Sequence, residues 1–271
     1  MSLLATTERL LMKYLPPAAI KPLQQLKAKL PTRLPQGPPV AVMYVNDGEI
    51  RSYVGLNNFY SFLLATEATD ADAVLRFYSP TGKRVLTHHI SLQHFGANVV
   101  DVAGLFAQRG VTSPHGIVAV QITPRHPRRV AYRELVIAFS HFFIFFEGNG
   151  SVAQVHPLSH IGSHNAPGEP FESSQLVTTR GLAGLEALQY NPGTQPRPVE
   201  SRLLDATTRE VVARSATTIR GLGATRTLFR IADLPRVPDQ LLFAADRLPS
   251  SNSKPMLRRV FDSGVFTMSH A

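Results

Sequence analysis

The sequence predicts a mainly β protein: two tandem, related β-sandwich domains preceded by a short helical N-terminal segment. Three observations carry that expectation. From Val40 onward, short runs of β-favouring residues alternate with turn signals, and the 271 residues include 21 Pro and 18 Gly. Helical periodicity is scarce after residue 35. Finally, landmarks of the first half recur in the second: Gly55-Leu56 against Gly181-Leu182 and Arg76–Leu86 against Arg202–Val212, both at a shift of 126 residues.

Taken in order, residues 1–39 form a basic leader and a Pro-rich linker. Thr7–Leu15 reads as a short helix stopped by Pro16-Pro17. A second helix starts at Pro22, a residue suited to the first helical position, and Leu23, Leu26 and Leu30 give it an apolar stripe. Pro31–Pro39 is the linker. Residues 40–156 are the first sandwich. Its strands are expected at Val40–Val45, Tyr53–Thr66, Ala73–Tyr78, Arg84–Ser91, Val99–Ala103 and Gly116–Ile122, with Asn46-Asp47-Gly48 as a hairpin turn after the first. Residues 157–175, rich in Ser, Gly, Pro and His, are the connection, and 176–271 the second sandwich. There the order of strand, turn, strand and Gly-Ala recurs at Gly223-Ala224, where the first half has Gly96-Ala97.

The most apolar stretch is Leu135–Phe146, interrupted by Ser140 and His141. At twelve residues it is too short to span a bilayer as a helix, which takes ~20. As a strand it places Phe139, His141, Phe143 and Phe145 on one face and Phe142, Ile144 and Phe146 on the other, so both faces call for cover. Gly148-Asn149-Gly150-Ser151 then signals a hairpin returning through Val152–His156. If Gly148-Asn149 is the loop, His141 lies opposite His156. If Asn149-Gly150 is, Phe143 faces His156 and His141 is its diagonal neighbour, within roughly 5 to 8 Å.

Composition narrows the function classes. A chain that is 44% hydrophobic can bury a substantial core. With no Cys there is no disulfide, thiolate metal site or Cys nucleophile, which fits a reducing, cytoplasmic setting. The N-terminus lacks the uninterrupted apolar core of a signal peptide, which points the same way. Net charge is +9, split between the leader (net +5 over residues 1–40) and scattered arginines (net +4 over 171–271), with residues 41–170 balanced. That is not the dense basic stripe of a nucleic-acid protein. The leader, residues 7–30, offers a membrane-surface segment, though packing on the body of the protein is preferred. No phosphate-binding glycine loop, His-Glu-x-x-His or Gly-x-Ser-x-Gly motif is present, and no carboxylate pair stands out as an acid/base couple.

Three sets of residues remain. His141 and His156 on paired strands, with His160 or His164 from the loop, have the residue type to hold zinc, iron or copper; the alternative is that they are ordinary hydrogen-bonded or exposed histidines. Arg220, Arg226 and Arg230, in or beside strands, suit carboxylates or phosphates of a ligand, or else ion pairs on a solvated sheet. Phe143 and Phe145 would line a groove between the domains or form an isologous homodimer contact, and sheet edges can accept an extended peptide. The first expectation is therefore a non-catalytic, homodimeric binding protein without cofactor. It would hold an extended peptide or amphipathic small molecule through Phe143, Phe145, Arg220, Arg226 and Arg230, and one such setting is an accessory protein presenting a precursor peptide to modifying enzymes. The alternatives are a His-ligated metalloenzyme and an assembly protein using the Phe-rich strand as its interface.

Overall fold

The computed structural model describes residues 31–33, 39–63, 69–125, 129–131, 142–157, 159–161, 171–247 and 255–270. The expected helices of the leader lie outside these residues, as do His141 and His164.

The N-terminal half runs β1 (Pro31–Arg33), β2 (Val40–Val45), β3 (Arg51–Asn57), one helical turn α1 (Tyr60–Leu63), β4 (Ala71–Tyr78), β5 (Arg84–Leu92), β6 (Ala97–Asp101) and helix α2 (Val102–Gln108). It continues with β7 (His115–Pro124), β8 (Arg129–Ala131), β9 (Phe142–Gly148), β10 (Ser151–Val155) and β11 (Ser159–His160). The C-terminal half holds β12 (Phe171–Thr178), β13 (Leu182–Tyr190), β14 (Arg197–Asp205), β15 (Val211–Ile219), β16 (Ala224–Arg230), a 3₁₀ turn (Ile231–Asp233), β17 (Gln240–Arg247), β18 (Met256–Phe261) and β19 (Phe266–His270). The protein is thus mainly β. The loop expected through residue 175 ends earlier, since β12 begins at Phe171 and Ser159–His160 pairs with Val40–Ala41.

All strand pairs are antiparallel. Besides the pair β1-β8 there are four larger sheets: a Phe sheet (β10-β9-β3-β6), a bridging sheet (β11-β2-β7-β4-β5), a distal sheet (β12-β17-β14-β15) and a junction sheet (β16-β13-β18-β19). Alternation decides which residues enter the core. Along β4, Ala71, Ala73, Leu75 and Phe77 are buried while their neighbours are not; along β9, Phe142, Ile144 and Phe146 are buried. Tyr44 meets Phe77 and Phe106 edge-on at centroid distances of 5.8 and 5.4 Å. β2 is buried at every position, because one side faces this core and the other faces the C-terminal half.

Three local expectations fail. Tyr53–Thr66 is not one strand, since β3 ends at Asn57 and the helical turn α1 takes Tyr60–Leu63. Asn46-Asp47-Gly48 is not a hairpin turn, since β2 and β3 belong to different sheets. Asp47 Oδ1 accepts the backbone N–H groups of Glu49 and Ile50, and the Ser52 hydroxyl takes up the N–H and C=O of Val45 that a ladder would have used. Val99–Ala103 is not one strand either. The extended chain ends at Asp101, and Val102 opens α2, whose Val102, Leu105 and Phe106 pack inward. Asn149-Gly150 does form the tight turn, with φ of 47° and 72°.

The halves share one apolar cluster, which extends from the N-terminal sheets to Leu188, Tyr190, Ala224, Met256 and Phe266. A second cluster fills the C-terminal half. Across the junction Tyr190 Oη donates to the Ala41 carbonyl (3.2 Å), Ala224 N–H to the Pro80 carbonyl (3.1 Å) and Phe266 N–H to Ser151 Oγ (3.0 Å). The turn at Gly82 sits so close that a Cβ there would lie 2.0 Å from the Gly221 carbonyl oxygen.

The second half follows the strand order of the first. With β12–β17 set against β2–β7, β18 against β9 and β19 against β10, the distal sheet matches the bridging sheet and the junction sheet matches the Phe sheet. Local details also recur. A bulge separates Phe77 from Tyr78 in one β4-β5 ladder and Leu203 from Leu204 in the other. Phe95 and Leu222 both take positive φ, 54° and 59°, in the turn before β6 or β16. Buried Asn58 and Asn191 each donate N–H to the Gly96 or Gly223 carbonyl at 2.9 Å. Their amides then bridge two loop carbonyls, Thr69 and Gln93 for one, Gln195 and Ile219 for the other.

Candidate functional site

The outer face of the Phe sheet is the strongest candidate. Because Val54, Leu56, Val100, Phe142, Ile144, Phe146, Ala153 and Val155 point into the core, the alternate residues point away from it: Tyr53 and Gly55 on β3, Val99 on β6, Phe143 and Phe145 on β9, Val152 and Gln154 on β10. Val99 and Val152 are 64% and 70% exposed. Phe143, Phe145 and Tyr53 are half-buried. Tyr53 stands opposite Phe145, and Gly55 opposite both Phe143 and Val99, so the central strand contributes no side chain between them. A Cβ on Gly55 would come within 2.9 Å of the Phe145 ring, which therefore lies over the bare backbone.

A polar margin fixes this surface. The Tyr53 hydroxyl donates to Glu147 Oε2 at 2.6 Å, and that bond raises the phenol's pKa. Arg51 Nη2 donates to Asp101 Oδ2 at 2.7 Å while its guanidinium lies 5.8 Å from the Tyr53 ring centroid. Tyr53 is thereby held at both its hydroxyl and its ring. The expected position between the two halves is corrected: the hydrogen bonds and ion pairs across the junction use Ala41, Asp47, Pro80, Ser151 and His156, and Phe143 and Phe145 lie on the sheet's other side from the core.

Among the histidines, the β9-β10 register aligns Val155 with Ile144, which sets His156 across from Phe143. His156 is exposed and its ring packs on that of His270, with centroids 5.1 Å apart; His270 Nε2 also lies 3.1 Å from the His156 carbonyl. No local pattern links two residues so far apart in the chain. The backbone of His160 is placed in β11, while His141 and His164 are outside the described residues. Among the described residues no group of three or more His, Asp or Glu side chains comes together as a metal site.

The arginines do not converge. Arg220 is exposed in the turn before β16 and Arg230 at the far end of that strand. Arg226 is half-buried and engaged on both sides: Nε donates to Glu186 Oε1 (2.6 Å) and Nη1 to Asp47 Oδ2 (2.5 Å). Glu186, 3% exposed, also pairs with Arg258, whose Nε is 2.7 Å away without hydrogen-bond alignment. The network links Asp47 of the first half to three strands of the second, so Arg226 serves the junction. Burial acts to raise the Asp47 pKa, but the Arg226 hydrogen bond and charge, with the N–H groups of Ile50 and Glu49, bring it below the usual carboxylate value.

No family model matches the chain, and no curated protein matches it either. Solved structures bear only a remote likeness to the chain. The M60 catalytic domain with CBM51-1 and CBM51-2 domains of Clostridium perfringens ZmpB is 6% identical at a TM-score of 0.20, over 78% of this chain and 33% of that one. A glycosyl hydrolase family 2 member from Bacteroides cellulosilyticus DSM 14838 is 13% identical at a TM-score of 0.21, over 85% of this chain and 27% of that one. The chain spans a third or less of their length, and likenesses this remote say nothing about its activity. No helix among the described residues is long and apolar enough to cross a membrane.

Proposed function

We propose that the protein is a non-catalytic binding protein whose recognition surface is the outer face of the Phe sheet. The observation that carries this reading is the apolar patch of Val99, Phe143, Phe145 and Val152, with the Phe145 ring lying over the Gly55 backbone and the Tyr53–Glu147 and Arg51–Asp101 pairs at its edge. The apolar side chains are spread over all four strands, a shape that fits the apolar surface of another protein better than a small molecule in an enclosed pocket. The same reading takes the chain as two tandem, related β-sandwiches that arose by duplication. The common strand order, the shared bulge position and the paired Asn58 and Asn191 brackets support it.

The test uses the fluorophore 1-anilinonaphthalene-8-sulfonate as an apolar probe. The wild type should bind it saturably, and Phe143→Ser and Phe145→Ser should each weaken binding by roughly tenfold, in line with the value of a large apolar contact. Gly55→Val, which pushes on the Phe145 ring, should act likewise while leaving the melting cooperative. Dye uptake indifferent to all three substitutions would sink the reading.

A further inference from the structure

The Phe sheet has a counterpart that is already covered, and what covers it is the other half of the same chain. In the strand correspondence Gly55, Val99, Phe143, Phe145 and Val152 stand where the junction sheet has Leu188, Arg226, Met256, Arg258 and Phe266. Leu188, Met256 and Phe266 join the N-terminal core, and Arg226 reaches Asp47. The covering surface is the bridging sheet, where Met43 and Ile117 are fully buried. Its counterpart, the distal sheet, carries Leu176 and Leu242 at those positions, and Leu176 is 55% exposed. Each chain therefore uses one copy of the receiving face and one copy of the covering face, and leaves the other copy of each unused.

Three of the exposed apolar side chains lie on these unused faces. Among the described residues eight large hydrophobics are exposed; Val99 and Val152 lie on the unused receiving face and Leu176 on the unused covering face. Phe95, also exposed, corresponds to Leu222, in the turn against which the Pro80–Gly82 segment packs. Charge is complementary as well, with its sign reversed. Within the chain an acid on the covering side, Asp47, meets Arg226. On the unused faces Arg180 takes the place of Asp47 and Val99 that of Arg226, while Glu147, and Asp101 with its partner Arg51, edge the receiving side.

We propose that a second copy of this chain lays its distal sheet, through Leu176 and Leu242, on the Phe sheet, repeating between molecules the packing that joins the halves within one. The proposal rests on the recognition reading above and names its partner. Such a contact is heterologous, so it propagates head to tail and does not close as a two-fold dimer. One feature of the internal junction cannot be copied: Gly82 and Gly221, which touch there, are matched by Arg209 and His94. The intermolecular contact is therefore the looser of the two, and assembly depends on concentration.

The experiment is sedimentation velocity over a concentration series with Val99→Asp and Leu176→Asp, both at exposed sites where folding is not at stake. The wild type should grow in mass with concentration. Each variant alone should stay at the 29.7 kDa of one chain, and an equimolar mixture of the two should form dimers and stop there, because only one intact pair of faces remains. If Val99→Asp blocks assembly but Leu176→Asp does not, the contact is face to face between two Phe sheets and the proposal is wrong. A wild type that remains a single chain throughout, yet still takes up the dye at Phe143 and Phe145, sinks self-association and leaves the recognition surface standing.

Discussion

Glu186 is the buried carboxylate of the charge network that reaches across the joint between the halves. It is 3% exposed and sits between Arg226 and Arg258, while Arg226 extends the network to Asp47. Removing one member of such a buried set costs more than the attraction it supplied, since the partner charge stays behind in a poorly solvated place. Glu186→Ala should therefore lower stability by about 3–5 kcal/mol in urea unfolding, and a cost near that of a surface substitution would show that water reaches the site. The buried asparagines make a second residue-scale prediction. Asn58→Ala and Asn191→Ala each strand two carbonyls, so each should cost about 1–3 kcal/mol. Asn191→Ala should cost more, because Asn191 Oδ1 also accepts the Gly193 N–H. If one of the two proved neutral, the repeat would not extend to this bracket.

At the scale of elements, the sequence was readable where a local rule and the tertiary demand agree. Val40–Val45 is a strand with those limits, and Asn149-Gly150 closes the β9-β10 hairpin, since both residues tolerate the positive φ the turn needs. That Phe143 and Phe145 share one face of the strand was legible from alternation alone. What they face was not, because Tyr53, Gly55 and Val99 reach them through a strand order that pairs residues 53 with 145 and 55 with 99. The turn at Asn46-Asp47-Gly48 misled because the same residues serve an arch between sheets as well as a hairpin, and only the Ser52 hydroxyl, filling in for the ladder at Val45, separates the cases. The 126-residue shift holds between β4 and β14, where Arg76 matches Arg202, but not between β3 and β13: Gly55 is in mid-strand, whereas Gly181 precedes β13 at φ 68°. Insertions in loops preserve strand order while breaking the register that a sequence comparison relies on.

At the scale of the whole molecule, the junction carries ionisable groups whose protonation is coupled to folding. His115, at the start of β7, is half-buried beside the network. Burial lowers its pKa below 6.5, as does the Arg226 charge, while Glu186, the Ala224 backbone and Asp47 oppose the shift without reversing it. Asp47 is likewise held below its usual 3.8. In both cases the unfolded chain takes up its proton at a higher pH than the folded one, so stability is fully present above the unfolded value and falls as pH drops towards the folded one. Urea midpoints should therefore decline in two stages, the first starting below pH 6.5 with His115 and His88 and the second below pH 3.8 with Asp47, Asp72 and Asp205. His115→Gln keeps a neutral polar side chain at the junction and should shrink the first stage to the share of His88 while sparing the second. Because His115 and Asp47 face the same Arg226 from the N-terminal half, the first stage should loosen the two halves from each other before either unfolds. Hydrogen exchange at pH 5.5 would then show protection lost first at Ala224 and Phe266, whose N–H groups cross the junction, and retained at Phe77 and Phe243 within the two cores. Uniform loss at all four positions would mean that the halves open as one unit, and that the junction is as strong as the cores it joins.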